Sequence, residues 1–258
     1  MKPMHLYHCI GCRSSRVLWG YLEMAALYRG DNNALPGLVV NEFTDRNKFR
    51  NDKPKWFLEL NPNGKVPTFV DPNHNVVLYE SCAILFYLID TYDVDGLMLP
   101  RNDPRKRGLY QQLAFFSSGT LDNLSATSSP IQRAVNMKGS DKDLDKVMVD
   151  PVKKQAWLSY GAEHFEQLLA KEPGAFLLGE TISAADIVFG TCLYGFHEKM
   201  INRGDGKSWL DPARHPRICK YYFEEIQGRE LRKLIYTATN EWPSITGVTV
   251  REAQDSRS

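Results

Sequence analysis

Hydrophobic spacing changes character once along this chain, and that change constrains the fold more than any composition value. Up to about residue 92 the apolar residues switch between the two-residue spacing of a strand and the three-to-four-residue spacing of a helix. Beyond residue 106 only helical spacing occurs. Met4-His5-Leu6-Tyr7 predicts a strand, Arg16 through Leu27 a helix, and Gly37 to Phe43 a second strand. The polar stretch from Thr44 to Lys55 predicts an irregular helix. Val66 to Asp71 and Val76 to Tyr79, separated by Pro72-Asn73-His74-Asn75, predict a hairpin, because turn residues sit between β-branched runs. Ile84, Leu85, Leu88, Ile89 and Tyr92 then give one helix with a buried face. The order is βαβαββα.

From Asp93 to Arg105 the composition shifts to Asp, Gly, Pro, Asn and Arg, which marks a linker between a domain at 1–92 and an all-helical domain at 106–240. The 258 residues suit two cores at about 150 residues per domain. Four helical patterns carry the second domain: Leu109 to Phe116, Ala156 to Leu169, Ile187 to Tyr194 and Ile218 to Ile226. Between the first two, the polar segment 125–151 predicts a long helix–helix connection, and 241–258 predicts a poorly ordered tail.

Composition mainly excludes. Lysine plus arginine number 32 against 31 acids, so a net charge of +1 supplies no field to draw nucleic acid or anionic lipid. No apolar run reaches the 18 or so residues of a membrane span, and Met1 to His5 leads into a strand rather than a signal peptide. These features predict a soluble cytoplasmic protein. The five cysteines are an odd, scattered set in a chain too large to need stapling, which argues for a reducing compartment and makes the sequon at Asn123 a chance match.

Two blocks carry a resemblance. Leu60-Asn61-Pro62-Asn63-Gly64-Lys65-Val66-Pro67, followed by Leu78-Tyr79-Glu80-Ser81-Cys82-Ala83-Ile84, resembles the glutathione-binding half of the glutathione transferase superfamily. Ser14-Ser15-Arg16-Val17-Leu18-Trp19 is similar to the first helix of bacterial and fungal members with a Ser-Arg-Ser run. Gly179 to Ile187 resembles the family's buried-helix start. The resemblance implies a thioredoxin-like α/β domain followed by an all-α helical bundle. It further implies a cytoplasmic homodimer and a detoxifying transferase that uses glutathione as co-substrate against a small electrophile in the cleft between the domains, with no metal.

The resemblance also assigns residues. A cis Val66-Pro67 step presents the Val66 N–H and C=O to a peptide-like ligand as to an added strand. Ser81 holds the γ-glutamyl carboxylate at a positive helix end while Glu80 accepts the ligand ammonium; read alone, the same pair is an ordinary helix cap. Lys65 faces the glycyl carboxylate. Ser183 with Asp186 forms a capping box, with Ile182 and Ile187 as a hydrophobic staple, so Asp186 takes no catalytic role.

The resemblance implies that a hydroxyl or thiol at the first helix's N-terminus, where unsatisfied N–H groups favour an anion, activates the bound thiol. The candidates are Cys9, Cys12, Ser14 and Ser15; Cys12 comes first, five residues after Tyr7 as in the family's cysteine-type members, and Ser14 second. Cys9-Ile10-Gly11-Cys12 is also a Cys-x-x-Cys between a first strand and a first helix, the place of a redox pair. A zinc site from His5, His8, Cys9 and Cys12 is disfavoured, since residues three apart on a strand face opposite ways. Arg13 after Cys12 excludes a c-type haem. Two alternatives to conjugation stay open: a thioltransferase, reductase, dehalogenase or lyase that uses Cys12 as nucleophile, and a non-catalytic protein that kept the fold. Tyr110, Phe115 and Phe116 serve equally as core or as walls for the second substrate.

Overall fold

The structure, a computed structural model, describes residues 1–28, 35–122, 157–171, 174–203, 210–235 and 247–254. It divides into two compact units, one of Met1–Leu99 with Arg229–Ser258 and one of Pro100–Gly228. The segment 125–151 and Asn123 lie outside the described residues.

In the first unit the elements run β1 (Met4–His8), α1 (Ser14–Leu27), β2 (Leu38–Glu42), α2 (Arg46–Asn51), α3 (Lys55–Leu60), β3 (Thr68–Asp71), β4 (Val76–Tyr79) and α4 (Ser81–Tyr92). The strands form one mixed sheet in the order β4-β3-β1-β2, and a fifth strand, β5 (Val248–Glu252), pairs in parallel with β2. This is the thioredoxin-like arrangement. The single irregular helix expected over 44–55 is two short ones. Asp45 caps α2 through Lys48 N–H at 2.9 Å. Pro54 then forces a break, since the residue before a proline is pushed out of helical conformation.

The expected tail is corrected at β5. Val248 to Glu252 match Leu38 to Glu42 residue for residue, and the Ala253 N–H bonds the Glu42 carbonyl at 2.9 Å. Side chains fasten it too: Arg251 Nε donates to Asn41 Oδ1 at 2.8 Å, and the Tyr7 hydroxyl donates to the Gln254 carbonyl at 3.0 Å. A short helix upstream, which we label α9 (Glu230–Leu234), packs on α1. Its preceding Arg229 grips the buried Glu23, with Nε to Oε1 at 2.7 Å and Nη2 to Oε2 at 2.5 Å.

The sheet separates two packed faces. Tyr7 and Cys9 face a cluster with Phe49, Phe57 and Leu60, bordered by Phe43 and Trp56. Strand alternation sends Met4, Leu6 and His8 to the other face, where α1 packs on α4. His8 is fully buried and, among the described residues, neither ring nitrogen has a hydrogen-bond partner; burial lowers its pKa to about 4. At the hairpin, Asp71 accepts from the Tyr92 hydroxyl at 2.5 Å, the Tyr87 hydroxyl at 2.8 Å and the Asn73 N–H at 2.8 Å. Burial alone would raise the Asp71 carboxyl, but the bonds from Tyr92, His74 and Tyr87 outweigh it and hold it well below the carboxylate range.

The second unit is helical. α5 (Pro104–Phe115) is capped by Asp103 and continues as a π-helical turn, Phe116–Leu121. A second π-turn, Leu158–Ala162, leads into α6 (Glu163–Lys171); α7 (Ala184–Arg203) follows, then α8 (Pro216–Lys220), which runs into a third π-turn, Tyr221–Ile226. Phe165 and Phe189 stack at 3.5 Å in its core.

Candidate functional site

Strand register decides which sequence motifs meet. Tyr7 on β1 pairs with Thr68 on β3, and Thr68 pairs with Tyr79 on β4, so the three residues form one row across the sheet. Three connections leave the sheet beside that row. The Cys9–Cys12 loop follows β1, Val66-Pro67 precedes β3, and Glu80-Ser81 follows β4. Cys12 and Val66, distant in sequence, pack against the same aromatic cluster.

The loop before β3 is built by Asn61. Fully buried, its amide donates to the Lys65 carbonyl at 2.9 Å and to the Thr68 hydroxyl at 2.9 Å, while its Oδ1 accepts from the Asn63 N–H at 3.0 Å. Gly64 turns the chain with φ 58°, and a Cβ there would stand 2.6 Å from Cδ of Lys53. Val66–Pro67 is cis. Pro67 is buried, Val66 half-buried, and among the described residues nothing hydrogen-bonds the Val66 N–H or C=O. Its main chain therefore offers a donor and an acceptor, as an unpaired strand edge does. The Lys65 side chain is exposed beside it.

After β4, Glu80 has φ 75° and ψ 115°, a conformation costing a non-glycine residue of order 1–3 kcal/mol and typical of ligand clamps. Its side chain makes no capping bond, so it does not act as the ordinary helix cap that sequence alone permitted. Ser81 is buried at the first turn of α4. The opening N–H groups of this helix lack intrahelical acceptors and carry the positive end of its dipole.

At α1, the two candidates for thiol activation differ in direction. Ser14 is fully buried, and its hydroxyl donates to the Cys9 carbonyl at 3.3 Å and accepts from the Cys9 N–H at 3.4 Å. It braces the loop from inside. Cys12 is partly exposed one residue before the Arg13 cap, which makes no side-chain capping bond. Cys9 lies on the buried side: its thiol donates to the Phe43 carbonyl at 3.4 Å, and a hydrogen bond with Cys12, then burial, push it well above the thiol range.

Residues 36–91 match the model of the glutathione S-transferase N-terminal domain, and residues 135–230 that of its C-terminal domain. A glutathione S-transferase-like protein of Aspergillus terreus, gedE, is 39% identical over 199 residues, 74% of this chain and 82% of that protein. Another from Beauveria bassiana, OpS6, is 30% identical over 177 residues, 65% of this chain and 76% of that one. The chain belongs to the glutathione S-transferase family. Among solved structures, the glutathione transferase URE2P8 of Phanerochaete chrysosporium, with oxidized glutathione, superposes with a TM-score of 0.66 at 18% identity, covering 92% of this chain and 94% of that one. A glutathione transferase homologue of Lodderomyces elongisporus, with two GSH per subunit, gives 0.64 at 21%, covering 92% and 98%. At such identities the likeness is one of fold.

The glutathione S-transferase N-terminal match begins at residue 36, after the Cys9–Ser15 segment. Asn61 received no role from sequence. Its signal was there, an asparagine two residues before Asn63 and three before a glycine, the pattern of an Asx turn. In the helical unit, Asp186 accepts from the Leu177 and Ser183 N–H groups at 2.9 and 2.8 Å, the Ser183 hydroxyl at 2.6 Å and the Tyr221 hydroxyl at 3.0 Å. Half of the capping box is present, the Asp186 carboxylate accepting from the Ser183 N–H, while the Ser183 hydroxyl donates to that carboxylate rather than accepting from the Asp186 N–H. Of the three aromatics offered as substrate walls, Tyr110 is core and Phe115 is exposed.

Proposed function

We propose that the protein is a glutathione transferase that holds glutathione along Val66, Glu80 and Ser81 and delivers its thiolate to a small electrophile. The observation that carries this reading is the convergence beside the Tyr7–Thr68–Tyr79 row. A half-buried main chain with an unbonded donor and acceptor, an uncapped helix end with a buried serine, and a partly exposed thiol at a second helix start leave one end of the same sheet. A tripeptide fits that chemistry: Val66 pairs its main chain, the α4 N-terminus and Ser81 take its γ-glutamyl carboxylate, and the Glu80 carboxylate takes the ammonium. Lys65 takes the glycyl carboxylate.

Cys12 rather than Ser14 donates to the glutathione sulfur, because the Ser14 hydroxyl is committed to Cys9 inside the loop. The donor stabilises a thiolate that the α1 N-terminus already favours, and it is not consumed. The protein acts as a cytoplasmic homodimer, as its family resemblance implies.

Ser81→Ala is expected to weaken glutathione binding by about 1–3 kcal/mol, since a charged ligand group loses its partner in a partly buried place; unchanged affinity by calorimetry would remove the assignment. An aryl halide assay of Cys12→Ser tests the donor role. A hydroxyl replaces a thiol donor with conjugation retained, whereas a covalent nucleophile is lost with this change. Tight glutathione binding with no turnover of any electrophile favours the non-catalytic alternative.

A further inference from the structure

Conjugation uses one thiol, yet the structure sets two together. Cys9, Ile10, Gly11 and Cys12 form a β-turn closed by the Cys12 N–H on the Cys9 carbonyl at 3.2 Å, and Gly11 takes the φ of 72° that position three of a type II turn requires. Such a turn holds its end Cα atoms within about 7 Å, the separation a disulfide spans. The turn is open around Gly11, where a Cβ would meet nothing within 4 Å. One thiol is accessible and the other, 1% exposed, lies beneath it. All five cysteines are in the thiol form.

We propose that Cys9 and Cys12 are a redox-active dithiol that exchanges with glutathione disulfide and glutathionylated thiols, giving the protein a thiol–disulfide oxidoreductase activity beside conjugation. The disulfide class rests on the glutathione reading above; the pair itself does not. Cys12 is the attacking sulfur, being the partly exposed one next to the uncapped α1 N-terminus. Its thiolate attacks the glutathionyl sulfur of R–S–S–G. The S–S bond breaks, a Cys12–glutathione disulfide forms, and R–S⁻ leaves, taking up the proton that Cys12 had lost. Cys9 then attacks Cys12 Sγ, its proton passing to the departing glutathione sulfur. The bond to glutathione breaks, the Cys9–Cys12 disulfide forms, and glutathione leaves as the thiol. Two cysteine thiols are oxidised and one external disulfide is reduced to two thiols. Excess reduced glutathione runs the sequence backwards.

Geometry places the buried thiol for the second step, one hydrogen-bonded β-turn from Cys12. Its hydrogen bond with Cys12 and then burial hold its proton, and the Arg46 charge acts against both. Exchange through a mixed disulfide with a resolving partner is the general route by which dithiols avoid remaining glutathionylated.

The test uses the full chain equilibrated with reduced and oxidised glutathione in graded ratios, acid-quenched, alkylated and digested with trypsin. Cys9 and Cys12 fall in one peptide ending at Arg13, separate from Cys82, Cys192 and Cys219. Under oxidising ratios the wild-type peptide is expected to lose two hydrogens and to resist alkylation, and the Cys9→Ala protein to stop with one glutathionyl group on Cys12. Cys9→Ser and a circular-dichroism melt check that the variant result is not misfolding. A parallel arm with oxidised dithiothreitol needs no glutathione site. Closure there with calorimetrically absent glutathione binding keeps the dithiol and removes the glutathione substrate. A wild-type protein that binds glutathione but keeps Cys9 alkylatable at every ratio, or accumulates only the Cys12 adduct, overturns the proposal.

Discussion

Replacing Arg229 by alanine tests how the C-terminal segment is held. The Glu23 side chain is 2% exposed and takes three donors: Arg229 through Nε and Nη2, and the Trp19 indole at 2.7 Å. In Arg229→Ala the carboxylate keeps the indole and loses the cation. Removing one partner of a buried pair costs about 3–5 kcal/mol because a charge remains without compensation. Arg229 is itself 31% exposed, so water reaches its side of the pair and the lower end, about 3 kcal/mol, is expected. Glu23→Gln added to Arg229→Ala removes the stranded charge and should recover at least about 1 kcal/mol, a coupling visible only in the double-variant cycle. Urea unfolding followed by tryptophan fluorescence reads the global change. Amide exchange in α9 reads the local one, since that helix packs on the α1 helix that carries Glu23. A loss below about 1 kcal/mol, with equal exchange in α9, would refute the reasoning and class the pair with solvent-screened surface bridges.

Acid titration isolates His8. Its folded pKa of about 4 lies below the ordinary imidazole value of 6.5, so the unfolded chain binds the extra proton between those values. Stability is therefore full above pH 6.5 and falls as pH drops toward 4, by about 3 kcal/mol, and His8→Leu should flatten the slope in that window. Asp186→Ala strands the Leu177 and Ser183 N–H groups in the helical unit and should cost about 3–5 kcal/mol by chemical denaturation; Asp186→Asn, which keeps one acceptor oxygen, should cost less.

The parts of the molecule legible from sequence are those whose signals are local. The β3–β4 hairpin and α4 announce themselves because β-branched runs, turn residues and a three-four repeat lie within thirty or so residues. Strand alternation also puts Cys9 on the face of Tyr7. The division of α2 from α3 was readable at Pro54, where the backbone cannot continue a helix. β5 went unread because its signal, Val248-Thr249-Val250, is brief and its partner β2 is at the far end of the chain; no local pattern tells a strand with a distant partner from a tail. The inward turn of Ser14 was equally hidden, since a serine at a helix start reads as a donor to solvent or ligand until the fold shows the Cys9 main chain beside it.

β5 also sets an order of events in biosynthesis. β2 leaves the ribosome early, whereas the strand covering its edge is made only after every residue of the helical unit. At about 5–20 residues per second, Glu42 waits roughly 10–40 s for Val248. During that interval the row from Leu38 to Glu42 presents unmatched main-chain groups to any neighbouring nascent chain. Translation speed through the helical unit thus governs how long two copies emerging from one messenger can mispair, and a synonymous codon change, which alters no residue, can alter the yield of correctly folded protein.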